Sequence, residues 1–362
     1  MSCQDASELL RARYAVQPFL MAPMAGVTDA AYRIMCRRRG AETCTTEMVS
    51  VAGLAYDSAK TWVLVEPEPE EPQICVQLFG SKPEQFARAA EAVGERLGAR
   101  LTSIDINMAC PARKVATKGE GAALMDRPEA ARAIVRACMA HAEVPVTVKL
   151  RAGFAAGERT APELAAALEQ EGAAAVAVHG RTANMLYTGT ADWSIIDEVA
   201  ARVAVPVVGS GDVFSAADAV RMLETTAAEA VFIARGTYGN PWIFGDALAL
   251  LREGAAPPER GSAERLAALR EHLALLHATQ PFMARARTFA GWYLKGLPHA
   301  AFWRGKLVHC TAYEEYAALV DEIEADVAAC EALLAAGEAV PSAPASRDAE
   351  GGRAAGPGSA GA

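Results

Sequence analysis

Short apolar runs alternate with amphipathic helical stretches along the first two thirds of the chain. The apolar runs have the length and β-branched content of buried parallel strands. Helical patterns fill the intervals between them, as at 83–98, 128–142, 162–171 and 215–224, and each begins with Pro or Ser. We predict eight strands that end near Ala22, Glu47, Gln77, Asn107, Lys149, His179, Gly209 and Ala234. Eight such units predict an α/β fold of the (β/α)₈ TIM-barrel type, with a doubly wound sheet as the alternative.

The pattern changes after Trp242. Residues 246–262 contain two glycines and two prolines and are predicted to form a linker. From 263 to 336 the apolar positions have helical period, with a Gly-Leu-Pro break at 296–298. Residues 337–362 have almost nothing to bury. The predicted organisation is therefore a catalytic barrel over 1–245, a linker over 246–262, a small all-helical domain over 263–336 and a disordered tail over 337–362.

Composition narrows the class of protein. The 362 residues are 52% hydrophobic and 22% charged, which suffices for a large core. The net charge of −9 argues against a generally polycationic nucleic-acid binder. We see no secretory signal and no apolar run of the roughly 18 residues that a membrane span needs, so a cytoplasmic protein is expected. The eight cysteines form no C-x-x-C pair, so no metal site is predicted, and no protein partner is evident.

Polar or glycine-rich groups follow most of the predicted strands. In a barrel these strand ends form one rim, where active sites lie. The clusters at 209–212 and 234–236 favour a phosphate site, although ordinary tight turns are the alternative. Lys149 must face a cavity or form an ion pair with Glu47 or Asp105, because a buried unpaired ammonium is costly. His179 is expected to bind a phosphate or a ring carbonyl, or else to be a satisfied core histidine.

Other rim residues suggest a substrate. The amides of Gln77 and Asn107 suit the edge of a heterocycle, or are simply satisfied polar groups at the barrel mouth. Arg151 and Arg181 lie two residues beyond Lys149 and His179, which favours an anionic substrate over two solvated side chains. Cys110 lies in a long loop after the fourth strand. Because a thiol is mostly protonated at neutral pH, Cys110 is a candidate general acid, against the alternative of a packed loop thiol.

Five segments together resemble the tRNA-dihydrouridine synthase family of bacterial flavin-dependent enzymes. They are Met-Ala-Pro-Met-Ala-Gly-Val-Thr-Asp at 21–29, Asp-Ile-Asn-Met-Ala-Cys-Pro at 105–111, Val-Thr-Val-Lys-Leu-Arg at 146–151, His-Gly-Arg-Thr at 179–182 and Gly-Asp at 211–212. Trp-Tyr-Leu-Lys-Gly-Leu-Pro at 292–298 resembles the helical domain of that family. The resemblance covers about 17–325.

The resemblance implies an FMN enzyme that uses NADPH or NADH to reduce the C5–C6 double bond of specific uridines in tRNA. Hydride would pass from N5 of the reduced flavin to C6, and Cys110 would deliver the proton to C5. The implied cofactor-binding residues are Pro23, Met24, Ala25, Gln77, Lys149, His179, Ser210, Gly211, Asp212, Ala234 and Arg235. The implied substrate-binding residues are Asn107, Arg151, Arg181 and Tyr187. The substrate uridine must leave its RNA stack to react.

The sequence departs from the family pattern at four positions: Ala109, Ser210 and Ala234 beside the site, and Phe289 where relatives often carry a basic residue. Two other function classes stay open. One is a flavin barrel that acts on a free pyrimidine, as dihydroorotate dehydrogenases do. The other is a protein that folds or chaperones tRNA without catalysis.

A local basic stretch qualifies the net charge. Residues 272–313 contain five Lys or Arg, no Asp or Glu, and four of the six histidines. Aromatic residues are interleaved with the cations. Such a stretch is expected to contact phosphates and stack bases, unless its aromatics form an ordinary helical core.

Overall fold

Eight parallel strands form a single sheet in the computed structural model, which describes residues 2–280 and 282–343. The strands are β1 (Phe19–Met21), β2 (Thr45–Ser50), β3 (Ile74–Phe79), β4 (Leu101–Asn107), β5 (Val146–Arg151), β6 (Ala175–His179), β7 (Val207–Ser210) and β8 (Ala230–Ile233). Their order in the sheet follows the chain from β2 to β8, and β8 then pairs with β1. A doubly wound sheet would reverse its strand order midway, so the barrel prediction is confirmed and the alternative is excluded.

The barrel closes between β1 and β2. Met21 forms a parallel bridge with Cys44, and its backbone N–H donates to the carbonyl of Thr43 at 2.9 Å. On the other side of β1, Phe19, Leu20 and Met21 are in register with 231–233 of β8. The carboxyl ends of the strands therefore meet at one rim, which is the condition for the predicted site.

Helices surround the barrel and form the C-terminal part. They are α1 (Cys3–Val16), α2 (Ala30–Arg37), α3 (Val51–Ala55), α4 (Ala59–Trp62), α5 (Pro83–Leu97), α6 (Arg113–Ala116), α7 (Pro128–Met139), α8 (Ala161–Gln170), α9 (Ser194–Ala200), α10 (Ala216–Thr225), α11 (Ile243–Glu253), α12 (Ser262–Thr279), α13 (Ala286–Phe289), α14 (Ala300–Leu307) and α15 (Tyr313–Ala335). No helix in this described part of the chain is both long and apolar enough to cross a membrane.

Several boundaries differ from the sequence prediction. Strands β2, β3 and β5 continue three, two and two residues past their predicted ends at Glu47, Gln77 and Lys149, so these polar side chains lie within the strands and not just after them. The last barrel helix, α11, runs to Glu253, so only 254–261 is irregular within the predicted linker. The helix ends at Gly254 in the left-handed conformation, which glycine adopts without a steric penalty. Of the predicted tail, 337–343 is described and has no helix or strand, and 344–362 lies outside the described residues.

Helix α1, which the sequence analysis did not single out, packs against residues of the barrel interior. Its apolar side chains Ala6, Leu10 and Tyr14 share one buried cluster with small and apolar residues of β1, β6, β7 and β8. The hydroxyl of Ser7 donates to the carbonyl of Ala174, just before β6 begins. Since Ala174 precedes the amino end of its strand, α1 covers the end of the barrel opposite the rim.

The C-terminal helices pack on the barrel without a break in the apolar core. The ring of His272 in α12 stacks between Tyr32 of α2 and Phe289 of α13. Glu271 accepts from Arg38 and Arg39 at 2.6 and 2.5 Å. Burial lowers the pKa of His272 to about 3, so this ring is neutral and serves as an aromatic core residue.

A buried ion pair holds the connection between β2 and β3. The Arg33 guanidinium on α2 binds both carboxylate oxygens of Glu71, at 2.6 and 2.8 Å, and both side chains are almost completely buried. Arg33 also donates to the Thr28 carbonyl. Each charge is therefore compensated only while the other is present.

We predict that Glu71→Gln lowers the free energy of unfolding by about 3–5 kcal/mol, because it leaves the Arg33 charge buried without its counterion. Urea unfolding at pH 7 measures the loss. The control is Glu70→Gln, which breaks the exposed pair between Glu70 and Arg38 and is expected to cost less than about 1 kcal/mol. Equal losses in the two variants would contradict the prediction.

Candidate active site

A cavity of about 470 Å³ opens at the carboxyl ends of the strands. Its volume is in the range of small-molecule and cofactor sites. All but one of the residues predicted for the site line it: Pro23, Met24, Ala25, Gln77, Asn107, Cys110, Lys149, Arg151, His179, Tyr187, Ser210, Gly211, Asp212, Ala234 and Arg235. The exception is Arg181, which is buried and does not line the cavity.

The strand register brings these residues together. Asn107 of β4 pairs with Lys149 of β5, Arg151 of β5 pairs with His179 of β6, and His179 pairs with Ser210 of β7. Positions that pair laterally point to the same side of a sheet. Because several of these residues line the cavity, one register places the whole set on the inner face of the barrel.

A hydrogen-bonded chain orients the two predicted amides. The carboxylate of Asp105, deep in the barrel, accepts from Gln77 Nε2 at 2.7 Å and from the Thr147 hydroxyl at 2.6 Å. The Gln77 side-chain oxygen accepts from Asn107 Nδ2 at 2.8 Å. Both amides therefore have their oxygens engaged within the protein, because Asn107 Oδ1 accepts from two backbone N–H groups. For a ligand, Gln77 can offer its second N–H, and Asn107 its second N–H, which has only a long contact of 3.9 Å to Met48 Sδ.

The same series of hydrogen bonds fixes the loop that carries Cys110. Asn107 Oδ1 accepts from the backbone N–H of Ala109 and of Cys110, at 3.1 and 2.9 Å. Gly121, at φ +60°, passes so close that an added Cβ would lie 2.8 Å from the Cys110 carbonyl oxygen. The thiol is half-buried at the cavity wall rather than packed in the core. Cys110 therefore lines the space where a ligand would lie, as the general-acid hypothesis requires, and its role stays a prediction.

Lys149 has no ion pair with either predicted carboxylate in the described chain. Glu47 binds Arg285, and Asp105 binds Gln77 and Thr147. Burial, with a smaller contribution from Arg151, lowers the pKa of Lys149 from 10.5 to about 8. The structural ion-pair alternative is therefore wrong: the ammonium lines the cavity without an anionic partner of its own.

His179 presents an unpaired polar atom. Its Nε2 is buried and has no hydrogen-bond partner in the described chain, while the ring lines the cavity. Burial and the surrounding cations, Lys149 first among them, hold its pKa well below the ordinary value. A neutral imidazole with a free ring nitrogen is suited to a hydrogen bond with a bound ligand.

Asp212 organises the next part of the rim. Its carboxylate accepts from Arg181 at 2.7 Å through both oxygens, from the Ala191 N–H, and from Arg235 at 3.3 Å. Although burial opposes it, these bonds hold the pKa of Asp212 below its usual value. Arg181 also donates to the carbonyls of Thr188 and Gly189, so its donors are engaged in holding the loop after β6.

Two aromatic rings flank the cations at the cavity mouth. Tyr187 lies between Arg151 and Arg235, with the guanidinium carbons 5.6 and 4.8 Å from its ring centre. Phe214 covers Arg235 from the other side, at 5.1 Å. Arg151 is itself fixed by the carbonyls of Ala109, Thr182 and Leu186.

Sequence reasoning missed several lining residues, among them Met48, Lys114, Phe214 and Tyr238. Phe214 and Tyr238 come two and three residues after predicted site residues on the loops that follow β7 and β8. Met48 follows Glu47 on β2, where a register irregularity breaks simple alternation. Inclusion of every residue in the first turn after a strand would have found Phe214 and Tyr238.

The basic stretch at 272–313 is only partly a surface. Arg285 binds the barrel and is not available to another molecule, because its guanidinium contacts Glu47 at 2.5 Å and Asp29 at 3.4 Å. Phe289, Tyr293 and Trp303 are buried, as the core alternative expected. The exposed cations and aromatic residues that are left for contact with other molecules are Phe282, Arg287, Lys295 and Arg304, together with the histidines His277 and His309.

A closed (β/α)₈ barrel with a cofactor-sized cavity, lined by polar and apolar side chains at the carboxyl ends of its strands, defines the class of this protein, a barrel enzyme. The sequence model of the dihydrouridine synthase (Dus) family matches residues 20–330. The tRNA-dihydrouridine synthase B of Xanthomonas campestris is 39% identical over 80% of this chain and 88% of that protein. That of Pseudomonas aeruginosa is 38% identical over 79% and 86%.

A more distant bacterial relative agrees. The probable tRNA-dihydrouridine synthase 1 of Synechocystis sp. is 36% identical over 84% of this chain and 85% of that protein. Among solved structures, histamine dehydrogenase from Rhizobium sp. 4-9 is 13% identical, with a TM-score of 0.48 over 71% of this chain and 49% of that one. The family model and these sequence relatives show that the chain belongs to the dihydrouridine synthase family.

We predict that Lys149→Met makes the ligand-free protein more stable at pH 7, by up to about 3 kcal/mol. The folded-state pKa of Lys149, about 8, is below the unfolded value, so the unfolded chain binds the proton more tightly. The loss of folding free energy caused by the buried ammonium is complete below pH 8 and disappears as the pH rises toward 10.5. The stability gain of the variant should therefore shrink over that range. Urea unfolding at pH 7 and pH 10 measures both effects.

The matched control is Lys114→Met, which changes an exposed lysine of the same cavity. It is expected to shift stability by less than about 0.5 kcal/mol at either pH. If Lys149→Met were no more stable than the unmodified protein at pH 7, the ammonium would have to be compensated within the fold.

Proposed function

We propose that this protein is an FMN-dependent tRNA-dihydrouridine synthase, which reduces the C5–C6 double bond of specific uridines in tRNA with NADPH or NADH as reductant. The proposal rests on the cavity, where the strand register brings together several reactive or hydrogen-bonding groups. They are the half-buried thiol of Cys110, the ammonium of Lys149 without an ion pair, the oriented amides of Gln77 and Asn107, and the unpaired imidazole of His179. Family membership supports the same reaction. The helical part carries the proposed tRNA surface, and the barrel carries the chemistry.

The residues present fit FMN. The buried Nε2 of His179 lacks a partner, and Gly211 leaves a cradle beside it: an added Cβ would lie 3.1 Å from His179 Cδ2 and 2.7 Å from Ala191 Cβ. His179, Ser210, Gly211, Asp212, Ala234 and Arg235 would hold the ribityl and phosphate parts. Pro23, Met24, Ala25, Gln77 and Lys149 would hold the ring. Ser210 and Ala234, which depart from the family pattern, line the cavity and leave it open.

When bound, FMN supplies the hydride chemistry that no side chain can perform. The protein's own part is to hold groups in place. Cys110 Sγ holds the proton that C5 of the uracil accepts, and the Asn107 side chain fixes its loop. Arg151, immobilised by three carbonyls, and Tyr187 would position the uracil and its ribose phosphate. Arg181 would act on the substrate only indirectly, through the loop after β6.

Selectivity for tRNA would come from the C-terminal helices. Their exposed cations Arg287, Lys295 and Arg304 are suited to phosphates, and Phe282 is 77% exposed, as a stacking residue would be. Because Arg285 is bound to the barrel, few cations remain, so binding is expected to weaken with added salt, but with the shallow dependence of a few phosphate contacts.

We predict that Cys110→Ala retains FMN and tRNA binding but lowers dihydrouridine formation at least a hundredfold, because the proton donor is absent. The measurement is single-turnover formation of dihydrouridine in tRNA transcripts that lack the modification, with flavin absorbance recorded on the same sample.

Cys3→Ala is the control, since Cys3 is the other half-buried thiol and lies on α1 beneath the barrel. It should be fully active. Near-normal turnover in Cys110→Ala would remove Cys110 as the acid. A colourless protein that cannot be reconstituted with FMN would leave only the RNA-binding alternative.

We predict that Gly211→Ala lowers FMN affinity at least tenfold, because the added methyl crowds His179 and Ala191 at the proposed phosphate cradle. Fluorescence titration with FMN measures the change. The control is Gly157→Ala, which also has positive φ, +82°, but meets nothing within 4 Å of its added Cβ. Equal loss in both variants would show that backbone strain, and not the cradle, is responsible.

A flavin barrel that acts on free pyrimidines is the weaker alternative. It gives no role to the C-terminal helices that pack on the barrel and carry exposed cations. Reduction of free uridine at a rate equal to that of tRNA would favour it.

A further inference from the structure

Three chemically distinct side chains converge in the C-terminal helices, away from the cavity. His299 directly precedes α14, and Asp326 and Cys330 lie one turn apart on α15. His299 Nδ1 lies 2.8 and 3.1 Å from the two Asp326 oxygens and 3.8 Å from Cys330 Sγ. The thiol sulfur is 4.0 Å from Asp326 Oδ1. The structure thus groups one imidazole, one carboxylate and one thiol within 4.8 Å.

The two ring nitrogens of His299 have different partners. Nε2 faces the carbonyl oxygen of Pro341 at 2.9 Å, so Nε2 carries a hydrogen and donates it. A neutral ring then turns the Nδ1 lone pair toward the Asp326 carboxylate. Two acceptors this close require a cation between them, either a proton or a metal ion.

The position of Cys330 distinguishes a proton from a metal ion as the cation between His299 and Asp326. In a thiol–imidazole–carboxylate relay, the thiol and the carboxylate lie at opposite ring nitrogens. Here both face Nδ1, so the three groups cannot work as a relay. A thiol adds nothing to a protonated histidine–aspartate pair, whereas a thiolate is a strong ligand for a metal ion at the point where all three meet.

The surroundings of the three groups also match a metal site. Trp303 Nε1 donates to Asp326 Oδ2 at 2.7 Å, and Pro341 accepts from His299 Nε2. Bonds of this kind, from ligand to an outer partner, orient metal-binding side chains. Asp326 Oδ1 is left on the side of the sulfur. Tetrahedral zinc would place N and O about 3.3 Å apart and sulfur about 3.6 Å from each. The observed separations of 3.1, 3.8 and 4.0 Å are within about half an ångström of these.

We propose that His299, Asp326 and Cys330 bind a zinc ion, with water as the fourth ligand. A set of one nitrogen, one oxygen and one sulfur suits Zn²⁺ better than the oxygen-preferring Mg²⁺ or Ca²⁺. On binding, the Cys330 thiol loses its proton to solvent and the thiolate bonds to the metal. The ion would join the residue that precedes α14 to the second half of α15, and the hydrogen bond from His299 to Pro341 holds the segment that follows α15. None of the three ligands lines the cavity, so the site is independent of the proposed reaction.

The test uses the full-length protein, incubated with ZnCl₂ and freed of excess metal. Elemental analysis is expected to give one zinc per chain, and the zinc-loaded protein should melt at a higher temperature than the chelator-treated protein. Co²⁺ in place of Zn²⁺ should give a near-ultraviolet thiolate charge-transfer band and the intense visible bands of a tetrahedral site.

Cys330→Ser should abolish the Co²⁺ charge-transfer band and weaken zinc affinity at least tenfold. Asp326→Asn, which keeps an acceptor for Trp303, should weaken affinity to a similar extent and provides a second variant if Cys330→Ser fails to fold. Cys310→Ser is the control, because Cys310 is a buried thiol of the same helical part outside the cluster. Its metal binding should be unchanged.

Two results would overturn the proposal. The first is well below one zinc per chain after loading. The second is a Co²⁺ spectrum that Cys330→Ser leaves unaltered, which would place the metal elsewhere and leave His299 and Asp326 as a simple ion pair.

Discussion

One buried carboxylate orients the polar half of the barrel interior. Asp105 is a charged group deep inside a closed sheet, and burial raises its pKa, so it needs hydrogen-bond donors. Gln77 and Thr147 from the two neighbouring strands provide them. This fixes which end of the Gln77 amide faces Asn107, which in turn fixes the oxygen that holds the Cys110 loop. The geometry of the thiol at the rim thus depends on a carboxylate two residues lower on the same strand as Asn107.

Several small residues also lie in the barrel interior. Ala177, Ala230 and Ala22 share the apolar cluster that α1 covers from below. Bulky residues at these positions would fill the barrel to the rim, as in barrels packed throughout. Small side chains between oriented polar groups leave room for a cavity that polar and apolar residues line together. Such a mixed lining suits a planar ring with hydrogen-bonding edges.

Much of the fold could be predicted because it is encoded locally. Strand and helix periods, prolines at helix starts and polar strand ends all lie within short windows, and the barrel follows from their number and order. The strand ends and the loops after them also pointed to 15 of the 26 residues that line the cavity. What could not be predicted is the choice of partner across long separations. Lys149 could have paired with Glu47, but Arg285, 238 residues away from Glu47, occupies that carboxylate. Likewise, Arg181 pairs with Asp212 and His299 lies beside Asp326, because side-chain partners depend on tertiary geometry that sequence spacing does not record.

The arrangement of charge reconciles a net charge of −9 with the two polyanionic ligands proposed here. Lys149, Arg151, Arg181 and Arg235 surround His179 closely enough that each disfavours its protonation. Asp212 offsets part of that charge, and Asp105 is occupied by neutral donors. The cavity therefore concentrates positive potential in a space that excludes much of the solvent, where it is screened less than on the surface. Under the proposed function, the acidic remainder would repel RNA elsewhere, so that binding would be productive only where a nucleotide enters this cavity while the exposed cations of the C-terminal helices hold the backbone.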